Sequence, residues 1–110
     1  MNSQIRSSLP VPWHWDDTDL TTQLRRELPL DHKLVFKKVR SIGRRQDNDD
    51  VLFEIEDDHY KYAVVHLTWA QNRLKDNSYP TTEFYEDWDD VFKNRILLDK
   101  RFWEALENEK

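Results

Sequence analysis

The residues through which this chain could do chemistry are four histidines, a run of five cations and two acidic clusters. His14, His32, His59 and His66 invite a ribonuclease-like reaction, which needs two imidazoles and a cation around one phosphate. Their positions argue against convergence, because His59 falls in a turn and His32 in a connector. His66 stands mid-strand between Val65 and Leu67, where an imidazole more commonly serves structure than catalysis. No serine sits in a nucleophile elbow, and the one glycine, Gly43, leaves no glycine-rich phosphate cradle. The sequence has no cysteine, so it offers no thiolate, disulfide or Cys-based zinc site. These residues point away from an enzyme, and no cofactor is expected.

The cations Lys37, Lys38, Arg40, Arg44 and Arg45 have the clustering that phosphate binding requires. The next strand answers them with Glu54 and Glu56. Pairing Val39 with Ile55 sets Arg40 opposite Glu54 and Lys38 opposite Glu56, which are ordinary cross-strand ion pairs worth about 0.2–1 kcal/mol each. With the net charge of −5, this argues against a nucleic-acid partner.

The first acidic cluster, Asp47, Asp49 and Asp50 with Asp57 and Asp58, fails as a calcium loop. A loop beginning at Asp47 would place Val51 and Leu52 where an oxygen ligand and a flexible residue belong. No metal site is expected, and the cluster reads as a solvated loop at a sheet edge. The second cluster, Glu83, Glu86, Asp87, Asp89 and Asp90, is partly accounted for by helix capping, since carboxylates favour a helix N-terminus. Its remainder would present a cation-seeking surface, with Tyr85, Trp13 and Trp15 as candidate aromatic anchors.

The elements that must position these groups are those of an α+β domain. They form an antiparallel three- to four-stranded β-meander, with an N-terminal helix and C-terminal helices packed on one face. Residues 1–12, ending Leu9-Pro10-Val11-Pro12, are expected as a flexible N-terminal arm, and residues 13–110 as one domain. Leu20, Leu24 and Leu28 recur every four residues and predict a helix from Asp16 or Asp17 to Leu28, stopped by Pro29. Residues 33–42 read as a strand bulged at Lys37 and Lys38. Val51, Phe53 and Ile55 alternate along the next strand, and residues 60–69 form the third. There Ala63, Val65, Leu67 and Trp69 face the core, while Tyr62, Val64, His66 and Thr68 line a more open face. A three-residue turn at 57–59, the favoured reading, would bring Phe53 opposite Ala63 and Val51 opposite Val65, whereas a two-residue turn would set the same residues beside Tyr62 and Val64. Residues 81–85 are compatible with a strand or a helix start. A helix follows from 86 to 98 with Asp87 as N-cap, interrupted near Asp99 before a final turn or two with Phe102, Trp103 and Leu106.

A chain of 110 residues fits one domain. Charged residues make up 35%, but the apolar ones fall in periodic runs, which excludes disorder. The net charge hides an asymmetry: residues 1–46 carry +4 and residues 47–110 carry −9. The N-terminal residues hold no apolar run of signal-peptide length, and no stretch reaches membrane-spanning length, so the cytoplasm is the expected compartment.

The stretch Tyr62-Ala63-Val64-Val65-His66-Leu67-Thr68-Trp69, then Tyr79-Pro80-Thr81-Thr82, then Trp88-Asp89-Asp90-Val91-Phe92 resembles small bacterial proteins of unassigned function, some of them immunity proteins encoded beside toxins. The resemblance covers about residues 60–95. It implies a non-enzymatic protein-binding module that neutralises a cognate toxin by occlusion, and it brings no catalytic residues. Two other readings stand beside it. One is a small-molecule binder or weak enzyme on the open face of Tyr62, His66 and Thr68. The other is a homo-oligomeric structural domain in which the half-apolar face of the meander buries itself against a copy. Across the three readings the chain is a monomer or a homodimer.

Overall fold

The computed structural model describes residues 7–109. Five strands run in chain order across one antiparallel sheet: β1 (Trp13–Trp15), β2 (Lys38–Arg45), β3 (Asp50–Glu56), β4 (Tyr62–His66) and β5 (Thr82–Tyr85). Helix α1 (Thr21–Glu27) lies between β1 and β2. After β5 the chain is helical to Asn108, as α2 (Trp88–Val91), a π-helical turn (Phe92–Ile96) and α3 (Leu97–Asn108). The α+β meander expected from the sequence is present, with one strand more. The addition is Trp13–Trp15, which pairs with residues 43–45 of β2. Its three residues are too few for alternation to announce them.

The register between β2 and β3 is the one the charges demand: Lys38 opposite Glu56, Val39 opposite Ile55, Arg40 opposite Glu54. Phe53 stands opposite Ala63 and Val51 opposite Val65, as the three-residue turn requires. In that turn Asp57 takes the left-handed conformation (φ 55°), which a short polar side chain tolerates. The bulge lies at Ile42, between Ser41 and Gly43, and not at the lysines. Residues 33–37 instead form turns ahead of β2. At Gly43 the β1 backbone comes so close that an added Cβ would meet the His14 carbonyl oxygen at 3.2 Å.

Both faces of the sheet are covered, which corrects the expectation of helices on one face. Leu20, Leu24, Leu28 and Leu34 pack with Val51, Phe53, Ile55, Ala63, Val65 and Leu67 on the first face. Leu52 and Val64 point to the second, where Leu9, Trp13, Ile42, Val91 and Ile96 cover them. Apolar residues at consecutive positions of β3 and β4 require two covers, because strand side chains alternate between faces. The second face is covered only in part. Along β2 and β3 it changes from Ile42 and Leu52 to the exposed pairs Arg40–Glu54 at 2.7 Å and Lys38–Glu56 at 3.6 Å.

The fourth strand is shorter than residues 60–69. It ends at His66, because the backbone N–H groups of Thr68 and Trp69 donate to the Glu27 carboxylate at 2.9 and 3.1 Å. Trp69 is left-handed (φ 62°) and exposed, not a core residue. Its ring lies under the Arg44 guanidinium at 5.8 Å. Helix α1 begins at Thr21, later than Asp16 or Asp17, and Leu20 N donates to Ser41 Oγ. Of the expected flexible arm, residues 1–6 lie outside the described residues. From Ser7 onward it is held: Leu9 is buried, and the Ser7 carbonyl accepts from Trp15 Nε1 at 2.6 Å.

Candidate protein-binding surface

The C-terminal helix is fixed to the sheet by a cluster of buried charge. Arg95, in the π-helical turn, donates to Asp50 of β3, to Glu83 of β5 and, at 3.0 Å, to Asp99 one turn on. Arg45 of β2 lies 3.3 Å from Asp99 and forms a two-point pair with Asp47 at 2.9 and 2.7 Å. Trp13 Nε1 donates to Asp99 Oδ2 at 2.8 Å. Burial opposes the charge on Arg95, but Asp99, Asp50 and Glu83 outweigh it and raise its pKa further above the ordinary arginine value. The π-helical turn carries both Arg95, which reaches the sheet, and the buried Ile96. Asp99 therefore secures a continuous helix and does not interrupt it. Asp50 is buried as well, so the first acidic cluster is not simply a solvated loop.

The second acidic cluster organises the start of that helix. Asp87 is the N-cap, accepting from Asp90 N at 2.8 Å. Asp90 accepts from Glu86 N at 2.8 Å and from Asn94 at 2.7 Å, and these bonds lower its pKa. Asp89 pairs with Lys93, and Glu86 pairs with His59. Glu83 receives Arg95 and, at 3.0 Å, the Tyr85 hydroxyl. Burial, reinforced by Glu83, pushes the Tyr85 phenol up to about 12. Each acid thus has an internal role, yet Glu83, Glu86 and Asp89 keep most of their side-chain surface in water.

The aromatic anchors divide. Trp13 is buried and holds the core, so it cannot serve as an exposed anchor. Trp15 is half-buried and stacks on Trp88 at 5.6 Å. Tyr85 is half-buried beside Glu83.

The three residues of the alternative ligand face are not brought to one open surface. Tyr62 meets Trp88 edge-on at 5.5 Å, Thr68 is bonded to Glu27, and His66 Nδ1 lies 2.8 Å from Asp50. Between them Val64 is buried under the C-terminal helix. Of the other histidines, His32 is buried, His59 is in a turn and His14 is exposed on β1. Among the described residues no three His, Asp or Glu side chains form a metal-binding group. No described helix is long and apolar enough to cross a membrane.

The sequence anticipates helical turns beyond Asp99, but not that α3 leaves its apolar residues uncovered. None of its twelve residues is buried. Leu98, Phe102 and Leu106 are 50%, 61% and 46% exposed, four residues apart along the helix, so they form one lateral apolar stripe. The signal was present as a spacing, but it reads equally well as a core-facing stripe. Comparison with known proteins adds no identity: no protein-family model matches the chain, and no solved structure is significantly similar to it.

Proposed function

We propose that this chain is a non-enzymatic protein-binding module. The observation that carries this reading is α3, with Leu98, Phe102 and Leu106 exposed. α3 continues a helix whose first turns are packed on the sheet, and a regular apolar stripe on such an extension is suited to a partner's hydrophobic groove. Chemistry-bearing groups elsewhere are engaged internally: Glu27, Arg45, Asp50, Arg95 and His66 all bond within the domain.

The charge of −9 over residues 47–110 and the solvent-facing carboxylates Glu83, Glu86 and Asp89, with Asp87 and Asp90 between them, favour a basic protein. Such a surface steers association with a cationic partner. The resemblance over residues 60–95 makes the most concrete form of this reading a cytoplasmic immunity protein that occludes a cognate toxin. Co-purification with the product of each adjacent gene tests it. The expected result is a 1:1 complex that Phe102→Ser disrupts, and failure to bind any neighbour's product would sink it.

The same stripe also favours a second reading, in which it meets a copy of itself. Light scattering across a hundredfold range of concentration separates the two, since only the second predicts a mass that doubles.

A further inference from the structure

The sheet has an edge whose hydrogen-bonding groups face outward in strand register. β5 is the last strand, paired on one side only, to β4. His66 N donates to Thr81 O at 3.0 Å, which fixes the parity of that ladder: residues 83 and 85 turn their backbone groups inward, and Thr82 and Phe84 turn theirs outward. The next outward donor, Glu86 N, is already bonded to Asp90 Oδ2 at 2.8 Å. Two N–H and two C=O groups are thus displayed at strand spacing, bounded by Pro80 before and the Asp90 carboxylate on Glu86 N after. Groups in that arrangement are complementary to one kind of ligand, another extended backbone.

We propose that the outer edge of β5 takes up an extended basic segment of a partner protein, paired through Thr82 and Phe84 with a Lys or Arg across from Glu83. This deepens the protein-binding reading above and rests on it. The charge supports the assignment: Glu83 keeps 60% of its side-chain surface exposed, and Glu86, Asp87, Asp89 and Asp90 follow directly. The Phe84 side chain adds an apolar contact, with Tyr60 at 5.6 Å and the Lys33 ammonium at 6.0 Å from its ring.

A second copy is a poorer occupant. In two-fold antiparallel pairing, Thr82 against Phe84 of the copy sets Glu83 opposite Glu83, a like-charge pair that destabilises a sheet. Phe84 against Phe84 sets Thr82 opposite Glu86, whose N–H is held by Asp90. Thr82 against Thr82 brings Phe84 opposite Pro80, which has no N–H to give.

The test uses the full chain and three synthetic peptides, with amide exchange of Thr82 and Phe84 read by NMR. The peptides are acetyl-Lys-Val-Lys-Val-Lys-amide, the same peptide N-methylated throughout, and acetyl-Glu-Val-Glu-Val-Glu-amide. The lysine peptide is expected to slow exchange at both amides at least tenfold and to bind at least tenfold more tightly than its N-methylated form. Glu83→Gln should weaken it about threefold, the size of one cross-strand charge pair. Equal binding of the lysine peptide and its N-methylated form, protection elsewhere, or no binding at millimolar concentration would overturn strand addition. Equal binding by the glutamate peptide at the same amides would instead remove the basic-partner reading and leave strand addition standing.

Discussion

The carboxylate of Glu27 accepts from both the backbone N–H and the hydroxyl of Thr68, at 2.9 and 2.8 Å. The same carboxylate also takes Trp69 N and Gln23 Nε2, and Glu27 is fully buried. One acid on α1 thus ends β4 and sets the turn that follows it. The donors are part-buried and partly open to water, so losing their shared acceptor costs each about 0.5–1.5 kcal/mol, the net worth of an ordinary hydrogen bond. Glu27→Ala should therefore destabilise the domain by about 3 kcal/mol in urea unfolding. Glu27→Gln, which keeps one acceptor oxygen, should lose less. Equal stability of Glu27→Ala and the parent would contradict this account.

Arg95 holds the C-terminal helix against Asp50, Asp99 and Glu83. Breaking a buried ion pair from one side leaves an uncompensated charge, at a cost of about 3–5 kcal/mol. Arg95→Met should fall at the low end of that range, because Arg45 still faces Asp99 at 3.3 Å. The double variant Arg95→Met with Asp50→Asn should recover part of the loss, and a double-mutant cycle in denaturant measures the coupling.

His32 gives the fold a dependence on pH. Leu34 N donates to its Nδ1 at 3.0 Å, and Nε2 lies 3.3 Å from the Pro80 carbonyl, so the neutral Nε2–H form fits the site. Burial lowers its pKa below 6.5. Between the folded value and the unfolded value near 6.5 the unfolded chain binds more protons, so stability falls as pH drops through that window and is fully present above it. His32→Gln should flatten the slope of unfolding free energy between pH 7 and pH 5. An unchanged slope would remove His32 as its source.

Phe102 is exposed on α3, so Phe102→Ser should change the unfolding free energy by no more than about 0.5 kcal/mol, as surface substitutions do. A partner or copy using the stripe should lose at least about tenfold in affinity, since an aromatic at an interface centre carries more than its share of the binding energy. Isothermal titration for a partner, or sedimentation for a copy, reads the effect. Full retention of binding would move the interface away from α3.

Much of the sheet could be read from local pattern. The β2–β3 register follows from Val39, Arg40 and Lys38 meeting Ile55, Glu54 and Glu56. The β3–β4 register is open between two turn lengths, and the structure takes the one that sets Val51 and Phe53 against Val65 and Ala63. The Asp87 cap was legible for the same reason, as its partner lies three residues on. The candidate surface was less legible. Trp13 has the composition of an exposed anchor and is buried, while Leu98, Phe102 and Leu106 have the spacing of a core stripe and are exposed. Amphipathic periodicity shows that a helix has two faces but not which one finds a cover.

The sequence by itself determined the α+β class, the meander and the Asp87 cap of α2, while turn length left the β3–β4 register between two alternatives. Each depends on residues close in the chain or on two strands joined by one turn. Tertiary structure alone decided the rest. The second face is covered because Leu52 and Val64 needed burial, β4 stops where Glu27 of α1 takes its next donors, and Arg95 of the π-helical turn meets Asp50. The Glu27–Thr68 and Arg95–Asp50 contacts join residues 41 and 45 positions apart, and no local spacing encodes which distant carboxylate a donor will meet.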